Sequence, residues 1–365
     1  MTTVAELVAH LDDVIPFQWA ADWDRVGLLV GDPVLDVSGI LVALDPTEAA
    51  LTRAFESGAN VLLTHHPVTL EPMERLVMHV GAGAVALRAL AGGVSLIACH
   101  TNLDRAPAGA DALAFKLGLP ILGPLESGRQ PIGLVSVYVP AAAEATVRVA
   151  MVAAGAGRVG EYRECAFSAP GRGSFVAGAG TVPTVGSPGE HTDVDEVRLE
   201  MVCPRSRIAA VIAEARCAHP YEEPLIVVAE AEMGRGAARA GRLCETPRGT
   251  TIASLAALVG ERLGVRPTVW GERDRSVGVV ALAPGSGRSF IADARLSGAD
   301  VLVTGELRYH EAREAAEAGL AIIEAGHDAT EWPLTRELAR IAADAPGLGE
   351  AQVVLDAVDY PWWTA

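Results

Sequence analysis

Short, uninterrupted apolar runs alternate along this chain with stretches of helix length, and that rhythm restricts the fold more than any other feature. In the first third the runs are Gly39-Ile40-Leu41-Val42-Ala43-Leu44, Asn60-Val61-Leu62-Leu63 and Val94-Ser95-Leu96-Ile97-Ala98-Cys99. Helices are expected between them over Thr47–Ser57, closed by Gly58, and over Val80–Leu90. The last third repeats the order. Strands are expected at Val277–Leu282, Asp300–Val303 and Leu320–Ile323, and helices ending at Leu296, over Tyr309–Ala318 and from about Thr330 to Ala342. Strands that are apolar throughout are covered on both faces, so the pattern predicts parallel α/β sheets.

The two regions read as an internal repeat. Val42-Ala43-Leu44 leads to Ser57-Gly58-Ala59-Asn60-Val61-Leu62-Leu63-Thr64, and Val280-Ala281-Leu282 leads to Ser297-Gly298-Ala299-Asp300-Val301-Leu302-Val303-Thr304, with spacings of 15 and 17 residues. The competing explanation is chance likeness between two Ala/Gly-rich βαβ units. Between them lies a different texture. Leu134–Val139 and Val197–Val202 alternate as half-buried strands do, helices are expected over Glu144–Ala154 and Arg207–Ala215, and a Gly/Pro/Ser-rich loop is expected over Ala169–Glu190. A double βαβ order in this length suggests a ferredoxin-like α+β insert. The expected division is 1–128 and 233–365 for the two halves of one α/β domain, with the insert at 129–232.

Composition removes several functional classes. The net charge is −17, with no basic stripe, which argues against nucleic acid as the main partner. Lys116 is the single lysine beside 28 arginines, so there is no Lys-containing P-loop and no obvious Schiff-base site. The five cysteines are scattered without a Cys-x-x-Cys pair and are expected as reduced, packed thiols. No apolar run is long enough to cross a membrane, and Met1–Asp13 is acidic rather than signal-like, so a cytoplasmic location is expected.

Three polar clusters each follow directly on a predicted strand: Thr64-His65-His66-Pro67, His100-Thr101-Asn102-Leu103-Asp104 and Gly326-His327-Asp328-Ala329-Thr330-Glu331. Ligand sites in open α/β sheets form beyond the carboxyl ends of strands, so the three are expected to converge. A mixed His/Asp/Glu set suits a divalent metal. His327 and Glu331, at i and i+4, share a helix face. Adjacent His65 and His66 diverge if extended, which favours two ions over one. Each cluster alone has an ordinary explanation: an accidental His pair, a helix side-chain pair, or Asp104 as an N-cap. Glu306, Tyr309 and His310 follow the strand ending at Thr304 and are candidates for the same pocket. Lesser candidates are the Gly285-Ser286-Gly287-Arg288 turn as an anion cradle and Trp19, Trp23 and Trp332 as stacking surfaces. His10 and His79 are expected to be structural or exposed.

These motifs resemble the Nif-three-like family of dinuclear-metal proteins, often labelled "GTP cyclohydrolase 1 type 2 homolog". The pieces are Trp23-Asp24-Arg25-Val26-Gly27-Leu28 (Arg25 where the family usually has Asn), Leu63-Thr64-His65-His66-Pro67, His100–Asp104, Gly305-Glu306-Leu307-Arg308-Tyr309-His310 and Gly326-His327 with Glu331. The resemblance spans essentially the whole chain. Gly160–Phe167 and His219-Pro220-Tyr221-Glu222-Glu223-Pro224 are similar to the PII-like insert of its longer branch, and the latter is expected to be a packed turn. It implies two divalent ions per subunit (Zn, Fe, Mn or Ni) on His65, His66, Asp104, His327 and Glu331, with His100 in the motif but not usually a ligand. It also implies a toroidal homohexamer with the sites facing an internal cavity. The activity it suggests is metal-dependent hydrolysis of a nucleotide or other heterocycle, with Glu306, Tyr309 or His310 moving protons. The alternatives are a metal-handling or regulatory hexamer whose insert senses a small molecule, and a scaffold for partner proteins.

Overall fold

A computed structural model describes residues 2–73, 76–77, 81–160, 162–234, 236–348 and 352–356. The chain divides into two compact units: Met1–Ser127 with Ala237–Ala365, and Gly128–Gly236.

The first unit opens with α1 (Val4–Val14), whose Thr3 and Glu6 form a reciprocal capping box. Then come β1 (Gly27–Val30), β2 (Gly39–Ala43), α2 (Glu48–Ser57), β3 (Val61–Thr64), α3 (Gly81–Ala91), β4 (Ser95–Ala98), α4 (Thr101–Arg105), α5 (Pro107–Leu117) and β5 (Ile121–Pro124). Thr47 caps α2 by accepting the Ala50 N–H, and Gly58 ends it at φ 73°. The residue Val80 and also His79 lie outside the described residues.

The second unit runs β6 (Arg129–Pro140), α6 (Glu144–Ala153), β7 (Phe167–Val176), β8 (His191–Pro204), α7 (Ile208–Ala218), β9 (Ile226–Gly234). Its antiparallel sheet has the order β7-β8-β6-β9. One face packs on α6 and α7 through Val135, Val137, Leu199, Met201, Val147 and Val211. The stretch Ala169–Val176, expected as loop, is strand. Its Pro170 and its glycines are tolerated because β7 is an edge strand, where a missing donor costs little.

The chain then re-enters the first unit with β10 (Arg242–Glu245), α8 (Ile252–Leu263), β11 (Thr268–Trp270), β12 (Val279–Ser286), α9 (Ile291–Leu296), β13 (Val301–Glu306), α10 (Tyr309–Glu317), β14 (Ala321–Glu324), α11 (His327–Ala343) and β15 (Gln352–Leu355). Two sheets result, β1-β4-β3-β2-β15 and β11-β14-β13-β12-β10-β5. In the first, β4, β3, β2 and β15 run parallel, and in the second β12, β13 and β14 do, so each has a parallel core of three consecutive βα-linked strands. The strands β15 and β5 each join the sheet built mainly by the other part of the chain. Helices exchange likewise. Leu334, Leu338 and Ile341 of α11 pack with β2, β3 and α1, while Leu113 and Leu117 of α5 pack with β10, β12 and α8. His10 ties α1 to α11, its Nε2 lying 2.9 Å from the Ile341 carbonyl. Cys99, Cys203 and Cys244 are buried thiols, whereas Cys217 is exposed. No helix among the described residues is long and apolar enough to cross a membrane.

Candidate metal centre

Both parallel ladders continue beyond their strands and hold the polar clusters in place. The His65 N–H donates to the Ala43 carbonyl (3.2 Å) and His66 N–H to Leu44 (2.9 Å). In the other sheet, Ala325 N–H donates to Thr304 (2.9 Å) and Gly326 N–H to Gly305 (3.0 Å). Gly326 sits at φ 92° and starts α11 at His327, three residues earlier than the apolar pattern suggests. His327 and Glu331 are therefore the first and fifth residues of one helix.

The three clusters meet. The His65 and His66 ring centroids are 5.1 Å apart, those of His65 and His100 5.2 Å, and those of His66 and His327 5.4 Å. Glu331 lies among them, with Oε1 3.8 Å from His65 Nε2, and Oε2 3.1 Å from Nε2 of both His66 and His327. Asp104 Oδ1 is 3.5 Å from His65 Nε2. Among the described residues, the side chains offer two overlapping ligand groups, His65 with His66 and His100, and His66 with His327 and Glu331. Asp104 falls outside both, and His100, not expected as a ligand, falls inside one.

Each imidazole is turned by an oxygen on its other nitrogen. Nδ1 of His65 lies 3.0 Å from the Cys99 carbonyl, that of His66 2.8 Å from Asp45, that of His100 2.8 Å from Asp24, and that of His327 3.2 Å from Glu306. Such acceptors place the ring proton on Nδ1 and leave Nε2 as a lone pair, the state a metal ligand needs. With the rings neutral and protonated on Nδ1, His65 Nε2, Asp104 Oδ1 and Glu331 Oε2 are buried without hydrogen-bond partners. Buried polar atoms of this kind are costly unless something pairs with them. Divalent cations among these imidazoles and carboxylates would give His65 Nε2 and Glu331 Oε2 partners, and the donor set fits such ions.

The electrostatics agree. Burial pushes the Glu331 carboxyl up, but His327, His65 and His66 outweigh it and hold it well below the usual range. Burial also opposes protonation of His66, yet Asp45 and Glu331 raise its pKa to about 10. Glu331 raises that of His327 to about 9. Burial opposes protonation of His65 too, while Asp104 and Glu331 raise its pKa. Asp104 is pushed up by burial, and Asp24, despite its burial, is lowered to about 2 by His100. The carboxylates of Asp45, Asp104 and Glu331 thus favour positive charge on the imidazoles beside them.

The remaining candidates separate. Exposed Glu306 touches His327. The described ring contacts of Tyr309 are with His310 and Trp270. Trp23 is exposed and stands edge-on to His100 at 5.8 Å. Both glycine amides of the Gly285 turn are engaged within the protein, which leaves them no part in an anion cradle: Gly285 N–H donates to Thr330 Oγ1 (3.0 Å) and Gly287 N–H to the Glu306 carbonyl (3.3 Å). Its role is close approach. A Cβ on Gly285, which has φ +63°, would lie 2.0 Å from Glu331 Oε1. Asp45 is the position that sequence reasoning missed, while Asp24 was seen only as part of a motif and Gly285 only as part of a turn, neither with the role it has here. Asp45 was findable, since it follows Leu44 at a strand's carboxyl end as His65 follows Thr64.

Comparison with known proteins identifies the family. The model of the Duf34/NIF3 (NGG1p interacting factor 3) family matches residues 2–357. A "GTP cyclohydrolase 1 type 2 homolog" of Mycobacterium leprae (strain TN) is 34% identical over 368 residues, covering 98% of this chain and 94% of the relative. A protein with the same label in Bacillus subtilis (strain 168) is 33% identical over 347 residues, covering 93% and 92%. Among solved structures, a Bacillus cereus protein related to NIF3 superposes with a TM-score of 0.65 at 30% identity, covering 100% of this chain and 99% of the other. Staphylococcus aureus protein SA1388 gives 0.67 at 25% identity, with coverage of 100% and 99%. With a family model matched nearly end to end, the chain belongs to the Duf34/NIF3 family.

Proposed function

We propose that this protein holds two divalent metal ions in the cluster at the strand ends and is a metal-dependent hydrolase of a nucleotide or similar heterocycle. The observation that carries the reading is the set of buried, unpartnered atoms, His65 Nε2, Asp104 Oδ1 and Glu331 Oε2, facing imidazoles whose Nδ1 atoms are already engaged. His65, His66, Asp104, His327 and Glu331 would hold the ions. Glu331 would serve both, since its Oε1 lies toward His65 and its Oε2 toward His66 and His327. A pair of divalent ions supplies hydroxide near neutral pH and polarisation of a substrate oxygen. For proton transfer Glu306 stands ahead of Tyr309 and His310, because it touches a ligand candidate and is open to solvent. The name carried by the relatives supports the substrate class. The antiparallel unit is read as a PII-like insert and the two α/β sheets as a repeat, in keeping with their matching three-strand cores. A cytoplasmic homohexamer belongs to the same proposal.

The test is metal content per chain, for wild type and His65→Ala purified without chelators, followed by hydrolysis assays on GTP and other nucleotides. About two equivalents of metal in wild type, a sharp fall in the variant and turnover lost with it are expected. A metal-free wild type that takes up none when offered Zn, Mn, Fe or Ni would overturn the site. Loaded protein without turnover would overturn the hydrolase.

A further inference from the structure

The second unit has a built cavity that the metal centre does not use. It measures about 800 Å³ and lies on the sheet face opposite the α6/α7 core. Its size falls in the range of small-molecule sites, about 300–1,000 Å³. Tyr138, Phe175 and Tyr221 line it with rings, and Glu196 lines it with a carboxylate.

The motif His219–Pro224, unused by the metal site, constructs one wall. The Tyr221 N–H donates to His219 Nδ1 (3.0 Å), so the proton of His219 is on Nε2, which donates to the Tyr138 carbonyl (2.9 Å). This neutral, buried histidine holds Tyr221 in place, and the Tyr221 hydroxyl donates to Glu196 Oε1 at 2.9 Å. The connection between β7 and β8 forms a roof: Val182 N–H donates to Glu222 Oε2 (3.1 Å) and Thr184 Oγ1 to the Pro220 carbonyl (2.6 Å).

The floor is left bare. Gly171 pairs across the sheet with Glu196. A Cβ there would meet no atom within 4 Å, and its φ is not positive. Neither strain nor crowding requires glycine at this strand position, where glycine weakens a strand. Its effect is room beside Glu196. At Gly173, by contrast, a Cβ would lie 2.2 Å from Glu196 Oε2.

The charge around that space is negative. Of the guanidiniums lining it, Arg198 has Glu200 at 3.6 Å and Arg172 has Asp195 at 3.9 Å, both carboxylates outside the lining. Glu223 is paired with Arg216 at 3.7 Å. Glu196 and Glu222 are left holding neutral donors. Aromatic rings beside an unneutralised carboxylate attract a cation through both the ring faces and the charge. We propose that this cavity binds a small organic cation, an amine or quaternary ammonium on a flat apolar body, among Tyr138, Phe175 and Tyr221 with Glu196 as counter-ion.

Calorimetric titration of the full chain with benzyltrimethylammonium tests this, with benzoate and ATP as anionic comparators. Saturable binding of the cation is expected, weakened about tenfold or more by Gly171→Leu, which fills the floor, and by Glu196→Gln, which keeps an acceptor for Tyr221 but removes the charge. Unchanged circular dichroism and metal content would show both variants intact. No saturable binding of the cation, binding indifferent to both variants, or a preference for benzoate or ATP would overturn the proposal.

Discussion

Asp45 holds His66 by its Nδ1 at 2.8 Å and so raises the affinity of that imidazole for any positive charge, proton or metal. The protonated His66 stabilises the metal-free protein fully below its ordinary pKa of 6.5, and that stabilisation is lost as pH rises toward its folded value of about 10. A metal must displace this proton, so metal affinity climbs with pH across the same window. Asp45→Asn is expected to lower metal affinity by about 10–100-fold at alkaline pH and by less near neutrality, because the variant also holds its competing proton more weakly. Competition titration against a chromophoric chelator at several pH values would show this; a loss that grows as pH falls would contradict it. Among single residues, the candidate ligands and their strand-end positions were legible, since each occupies a short window. Asp24, Asp45 and Glu306 acquire their meaning only from an imidazole brought against them by the fold.

At the scale of elements, α11 does the most. Its first turns carry His327 and Glu331, and Leu334, Leu338 and Ile341 anchor the rest against α1, β2 and β3. The i, i+4 pair was readable from spacing, while the true helix start was not, because it depends on Gly326 adopting φ 92°. Leu338 is fully buried. Leu338→Ala is expected to cost about 2–5 kcal/mol in urea unfolding of the metal-free protein and to weaken metal retention. Leu296→Ala, at an 86% exposed position, is expected to change neither. Equal effects from both would show that α11 is not anchored as described. The element that escaped pattern reading is β7, whose Gly and Pro residues mimic a loop. Its strand state comes from pairing along β8, which no local propensity encodes.

Across the whole molecule, the chain leaves and re-enters the first unit at one place. Glu126 N–H donates to the Ala240 carbonyl (3.0 Å), and Leu125 N–H to Gly241 (3.2 Å). Ends this close tolerate excision of what lies between them. Replacing residues 128–236 with a short Gly/Ser linker is expected to leave a cooperatively unfolding protein with the metal content of the full chain, measured by thermal melts and elemental analysis. Loss of both would mean that the second unit is needed to fold the first. The amino-acid sequence by itself determined where the central strands and their flanking helices lie, that their sheets are parallel at the centre, and that the candidate ligands stand at strand ends. Those properties follow from apolar periodicity and chain punctuation within a few residues. Only the tertiary structure decided that β15 and β5 change sheets, that α5 and α11 exchange cores, and that Gly285 leaves room for Glu331. The physical reason is that His65 and Glu331 lie on opposite sides of the second unit in sequence. Their meeting is selected by how whole sheets bury their faces against each other rather than by anything written near either residue.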